Sequence, residues 1–168
     1  MKKSTWAGLA AAMILSAGAQ AQDRFVGLGM GQATIDDSAT IGSTTFSVDD
    51  DDIGWKLYGG AMLTDNFGFE AGWTDLGDMN NGGADIETEG FVAAGLAGVP
   101  IGDLSLYVKA GVFFWDQDVN TVSYDGQDLM YGVGARYRMG QFHVRVEWER
   151  FDTKFETDMI TIGGGIQF

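Results

Sequence analysis

The chain has 168 residues, 24 acidic against 10 basic, for a formal charge of −14; 45% of its side chains are hydrophobic and 12% aromatic. That length is one domain's worth, and the apolar content excludes a disordered chain. Twenty-six glycines, a single proline (Pro100) and no cysteine exclude a collagen-like repeat, a disulfide-stapled miniprotein and a thiolate metal site, and the acidic balance excludes nucleic acid as a partner.

The first 21 residues read as an address. Lys2 and Lys3 precede an apolar run over 6–15, and Ala19 and Ala21 supply the small residues of a cleavage site. This is the order of a secretory signal peptide, cut after Ala21, and the run is too short to span a bilayer as a helix. Its removal leaves eight basic and 24 acidic residues, a formal charge of −16, on a domain over 22–168.

Beyond it the chain reads as eight strands in succession. The first four fall at 25–34, 53–63, 67–76 and 86–101, and the fourth leaves open which of its faces is apolar. The fifth is cleaner. Leu104, Leu106, Val108, Ala110, Val112 and Phe114 share one face, while Ser105, Tyr107, Lys109, Gly111 and Phe113 share the other. In the sixth, Leu129, Tyr131, Val133, Ala135, Tyr137 and Met139 oppose Met130, Gly132, Gly134, Arg136 and Arg138. The seventh sets Phe142, Val144, Val146 and Trp148 against His143, Arg145, Glu147 and Glu149. In the eighth, Ile160, Ile162, Gly164, Ile166 and Phe168 oppose Thr161, Gly163, Gly165 and Gln167. A helix would scatter these sets around its cylinder, so the period of two means strand. Tight turns at 64–66, 102–103 and 140 alternate with longer links at 36–52, 77–85, 117–127 and 152–156. An antiparallel up-and-down barrel follows.

Periodicity alone leaves the orientation open, because a soluble lipocalin-like carrier turns apolar rows inward and a membrane barrel turns them toward lipid. Strands of about 9 to 11 residues match an outer-membrane span. A lysine or arginine on the lipid face costs about 2 to 4 kcal/mol at the midplane, so Lys109, Arg136 and Arg145 belong inside with Glu147. Tyr131, Tyr137, Trp148 and Phe168 suit interfacial girdles. An eight-stranded antiparallel transmembrane β-barrel is therefore expected.

Several local patterns carry weaker chemistry. Gly27, Gly29 and Gly31 lack the following helix that a phosphate cradle requires. Asp78, Asn80, Gly83 and Glu89 mimic a calcium loop only partly, since position five is glycine and strands flank it. Glu147 and Glu149 stand about 7 Å apart on one strand face, inside glycosidase range, but Arg145 beside them points to ion pairing. His143, the single histidine, reads as a lumen or rim residue near a short turn. No catalytic, cofactor or metal site is expected.

Gly68-Phe69-Glu70-Ala71-Gly72 followed by Leu76-Gly77-Asp78-Met79 resembles the third strand of the outer membrane protein A transmembrane family. Pro100-Ile101-Gly102-Asp103-Leu104, leading to Tyr107, Lys109, Gly111 and Trp115, is similar to that family's fourth turn and fifth strand, and Arg145-Val146-Glu147-Trp148 to its seventh. The closing Thr161, Gly163, Ile166 and terminal Phe168 resemble the β-signal read by the barrel-assembly machinery. The resemblance implies an outer-membrane barrel with long loops outside and short turns in the periplasm, among outer-membrane lipids and lipopolysaccharide. The peptidoglycan-binding domain of longer family members is not expected here, since the sequence given stops at Phe168.

The family's interior also carries a charge cluster acting as plug or gate. Glu70 and Arg145 match two of its positions, while Leu96 and Arg136 replace a lysine and a glutamate of the pattern. The rewired cluster is expected to seat Glu70 between Arg136 and Arg145, with Lys109 and Glu147 nearby. The function so implied is structural or surface-interacting without catalysis. A gated low-conductance channel is the runner-up, ahead of a lipid A-modifying barrel and a soluble carrier.

Overall fold

The computed structural model describes residues 23–41, 44–81, 84–119, 122–152 and 156–168, with side chains described outside 35–51, 78–87 and 117–124. Residues 1–21, with Ala19 and Ala21, lie outside the described residues, as do the side chains of Asp78 and Asn80 and the whole of Gly83. Eight antiparallel strands close into one barrel: β1 (Asp23–Ile41), β2 (Thr44–Met62), β3 (Phe67–Asn81), β4 (Ala84–Ile101), β5 (Leu104–Val119), β6 (Val122–Met139), β7 (Phe142–Phe151) and β8 (Thr157–Gln167). Each strand pairs with its neighbours in sequence, and β1 pairs with β8 from Phe25↔Gln167 to Ile35↔Thr157. Two backbone hydrogen bonds between Arg24 and Phe168 extend that seam to the last residue, and the ring of strands is closed.

The alternation in the sequence becomes an inside and an outside. Ile162 is 66% exposed and its neighbour Thr161 1%, and the same contrast runs through β5, β6 and β7. Leu106, Val108, Leu129, Val133 and Ile160 point outward and form an exposed apolar belt around the barrel. In β4, Val92, Ala94 and Leu96 face the lumen.

Gly102 (φ 67°) and Gly140 (φ 66°) open the two tightest turns in the left-handed conformation that glycine adopts without penalty. The 63–66 turn is tied by Thr64 Oγ1, which accepts from the amides of Asn66 (3.2 Å) and Phe67 (2.9 Å). At the other end the structure corrects the sequence reading. Most of the links read as loops at 36–52, 77–85 and 117–127 are strand: β1 and β2 pair out to Ile41↔Thr44, β3 and β4 to Asn81↔Ala84, and β5 and β6 to Val119↔Val122. Within the second of these, Gly77 (φ 88°) makes a bulge between Asp75 and Asp78, and the strand resumes beyond it. The three extensions therefore prolong the ladders at the end opposite the short turns.

Large lumen side chains are accommodated by glycines on neighbouring strands. Gly27 lies opposite Tyr58 and Gly29 opposite Lys56, and a Cβ at Gly27 would run into the Tyr58 ring. The G-x-G-x-G string is thus strand β1, and the missing side chains make room for two large ones.

Candidate functional site

The lumen is layered. Toward the long hairpins it is packed by Ala33, Leu76, Val92, Ala94, Phe113, Met130, Phe151 and Met159, with the Phe113 and Phe151 rings 4.8 Å apart and Trp115 against them. Trp115 Nε1 donates to Asp128 at 2.6 Å above this plug. Toward the short turns sits a second apolar group of Phe25, Tyr58, Met62 and Leu96, joined by His143, whose Nε2 lies 3.0 Å from Tyr58 Oη. His143 is buried on the lumen side of β7.

Between the two lies a layer of six buried charges, three carboxylates and three cations. Glu70 on β3 accepts from Lys109 Nζ at 3.1 Å and Arg145 Nη1 at 2.5 Å. Glu147 on β7 meets Lys109 at 3.0 Å, Arg145 at 3.0 Å and Lys56, and accepts from Tyr107 Oη at 2.8 Å. Glu149 meets Lys109 at 2.6 Å and Lys56. The Arg145 guanidinium also lies 3.1 Å from the centroid of the Tyr58 ring. No charged side chain in the layer is more than 4% exposed. Taking such ions out of water costs several kcal/mol apiece, which their mutual attraction offsets only when every charge is paired. The numbers balance, and the carboxylates bridge the cations into one network.

Four of the five residues expected in the cluster are thus together: Glu70, Lys109, Arg145 and Glu147. Arg136 is the correction. It stands directly opposite Arg145 in the β6–β7 register, and a like charge there is repelled from the carboxylates that Arg145 already occupies. Its guanidinium lies instead over Phe25, 5.0 Å from the ring centroid, and it makes no ion pair among the described residues. Glu149 belongs to the cluster as well as to the carboxylate pair that the sequence suggested. Lys56 was missed altogether. Its signal was legible in principle, because it is the one charge between Trp55 and Leu57, both outward-facing on β2.

Arg145 Nε, His143 Nδ1 and Thr161 Oγ1 are buried with no hydrogen-bond partner among the described residues. Thr161 and Gly163 face the lumen from β8, whereas Ile166 and Phe168 lie on the exposed side beside the β1 seam. Among the described residues no group of three or more histidine, cysteine, aspartate or glutamate side chains is placed to hold a metal ion.

The family model described as "outer membrane protein beta-barrel domain" matches residues 7–168. The chain belongs to that family. Its barrel is therefore an outer-membrane one, and the exposed apolar belt is its lipid-facing surface. Among solved structures, this outer-membrane barrel is similar to Neisserial surface protein A, with a TM-score of 0.63 at 12% identity over 86% of this chain and 97% of that one. It is also similar to Ail, the attachment invasion locus protein of Yersinia pestis, solved in complex with the heparin analogue sucrose octasulfate (TM-score 0.60, 14% identity, 87% of this chain and 98% of that one). The outer membrane protein OprG of Pseudomonas aeruginosa aligns at TM-score 0.59 and 16% identity over 89% of this chain and 97% of that one. At such identities the likeness is one of fold. No curated protein matches the chain.

Proposed function

We propose that this protein is a closed structural or surface-interaction barrel of the bacterial envelope, plugged by the Glu70, Lys109, Arg145, Glu147, Lys56 and Glu149 network, and that it performs no catalysis. The observation that carries the reading is the filled lumen: an apolar plug, a neutral ionic layer and an aromatic layer follow one another along the bore. An eight-stranded bore is about wide enough to be filled by side chains, which argues against a general diffusion pore. Residues 1–21 act as the cleaved signal peptide, and Thr161, Gly163, Ile166 and Phe168 as the signal for the barrel-assembly machinery.

In this reading the long hairpins face outward from the cell and the short turns face the periplasm. The extensions carry Asp36, Asp37 and the run Asp49, Asp50, Asp51 and Asp52. Ail was solved with a heparin analogue. Acidic hairpins oppose a polyanion here and favour a cationic surface partner or lipopolysaccharide phosphates bridged by divalent ions.

Planar-bilayer recording of the folded, purified protein tests the proposal. A closed barrel gives no steady conductance; regular openings would establish the alternative, a gated low-conductance channel. Release of acyl chains from lipid A by the same preparation would overturn the non-catalytic reading.

A further inference from the structure

β1 and β2 pair with each other out to Ile41↔Thr44, but their outer neighbours stop short. β8 pairs with β1 only as far as Ile35↔Thr157, and β3 pairs with β2 only as far as Trp55↔Asp75. Past the bulge at Gly77, β3 pairs with β4 alone, and the Asp52 carboxylate lies so close to Gly77 that a Cβ there would meet it. A gap between β2 and β3 opens from that root. The end of the β1–β2 hairpin is a two-stranded ribbon, and its β2 edge over residues 44–51 has no strand beside it among the described residues. Along such an edge every second residue turns its N–H and C=O away from the hairpin, a row of donors and acceptors that a further strand can use. Two strands alone are marginal, and a third with an apolar face is what stabilises them.

The edge also specifies its guest. In register, Ile35, Ala39, Ile41, Phe46 and Val48 share one face of the ribbon, interrupted by Asp37 and Asp50, whereas Asp36, Ser38, Ser47, Asp49 and Asp51 share the other. Residues 35–53 and, across the gap, 75–90 carry six and five carboxylates and not one lysine or arginine. A second copy of the chain would set the Asp49–Asp52 run against its own like, so the charge excludes self-pairing and favours a cation. We propose that the free β2 edge takes up an extended peptide segment as a third strand, one that alternates basic with apolar side chains. Main-chain hydrogen bonds supply the affinity, and the alternation selects the partner by matching the acidic face with basic residues and the apolar face with apolar ones. That the partner comes from outside the cell rests on the outward orientation of the long hairpins proposed above; the edge itself does not.

Fluorescence anisotropy of a labelled peptide of alternating lysine and valine, titrated with the full chain folded in a neutral detergent, tests this. Saturable one-to-one binding is expected, with isotope-labelled peptide carbonyls moving to the infrared position of a β-strand. Joint substitution of Asp49→Asn, Asp50→Asn and Asp51→Asn weakens it about tenfold. Methylating every backbone nitrogen of the peptide keeps its charge, removes its donors and abolishes binding. Unboiled gel mobility reports that the substituted barrel is folded, and the methylated peptide tests the parent protein without any variant. The proposal is overturned by absence of saturable binding, by equal affinity for the methylated peptide, or by equal affinity in the folded triple variant. Displacement of the peptide by magnesium chloride but not by sodium chloride of equal ionic strength also overturns it, since the hairpins would then belong to divalent ions. Orientation is read separately. Binding by the purified protein, with no difference between intact cells producing the parent and the triple variant, upholds the edge and overturns the outward-facing hairpins.

Discussion

Toward the long hairpins the bore is filled by Phe113, Phe151, Leu76, Met130 and Met159; one layer away, the same width holds Lys56, Lys109, Arg145, Glu70, Glu147 and Glu149. Both layers exclude water and both close the barrel, yet they do so by forces of different range and tolerance. The apolar plug is held by non-directional contacts, so a missing group leaves a cavity whose cost depends on how far the neighbours can relax. The ionic layer is a balance in which removing one carboxylate strands the cations it bridged. Glu147 touches all three of them and also accepts from Tyr107. Sealing a narrow barrel with charge is therefore the less forgiving arrangement, and it ties four strands (β2, β3, β5 and β7) to one electrostatic sum.

The contrast is sharpest at Glu147 and Arg145. Glu147→Ala and Arg145→Gln should each lower the stability of the folded barrel by about 3 to 5 kcal/mol, the range for breaking a buried pair from one side. Urea unfolding from lipid vesicles, read by tryptophan fluorescence and by the gel shift between folded and unfolded forms, measures it. A loss below 1 kcal/mol would mean that water reaches the layer. Met130→Ala, in the apolar plug, should cost about 2 to 3 kcal/mol by the same assay. Its loss should also be indifferent to salt. Should both halves respond alike to charge-neutral truncation and to ionic strength, the distinction between them fails.

How much of this was legible beforehand follows from the same physics. Where one face meets lipid and the other a charged lumen, as in β5 through β8, the two sides of the strand differ sharply in chemistry, and the inward set could be read residue by residue. β4 could not be read so. Its run Phe91-Val92-Ala93-Ala94-Gly95-Leu96-Ala97 is apolar on both sides, because its lumen face packs against Phe113 and other large side chains of the neighbouring strands. The hairpin extensions were read as loops because aspartates and short polar residues dominate them, although Ile35, Ala39, Ile41, Phe46 and Val48 keep to one face of the β1–β2 hairpin. The charge cluster was found in its membership more than in its wiring. Parity places a side chain inside the bore but does not say which way a long lysine or arginine leans. Arg136 and Arg145 share a face and a register pair, and only the crowding of the second by two carboxylates sends the first toward Phe25. Lys56 fell in a strand whose glycine-rich surroundings obscured the alternation.

A smaller effect probes the boundary between the ionic layer and the aromatic one. Tyr58→Phe removes the hydroxyl that meets His143 Nε2 while leaving the ring beneath Arg145 in place. The expected loss is about 1 kcal/mol, the net worth of one hydrogen bond. A loss approaching that of Arg145→Gln would instead place Tyr58 within the electrostatic network.

The smallest effect belongs to Arg136. It lies on the same lumen face as Arg145 and directly across the ladder from it, so a bore sealed by charge in general would make the two equivalent. It makes no ion pair among the described residues, its guanidinium lies over the Phe25 ring at 5.0 Å, and its charged neighbour in register is another arginine. Arg136→Gln gives up a cation–π contact of about 0.5 to 1 kcal/mol and gains back part of the repulsion, so the unfolding midpoint in urea should move by less than the scatter among the plug variants. A midpoint lowered as far as by Arg145→Gln would return Arg136 to the ionic layer, beside Glu70.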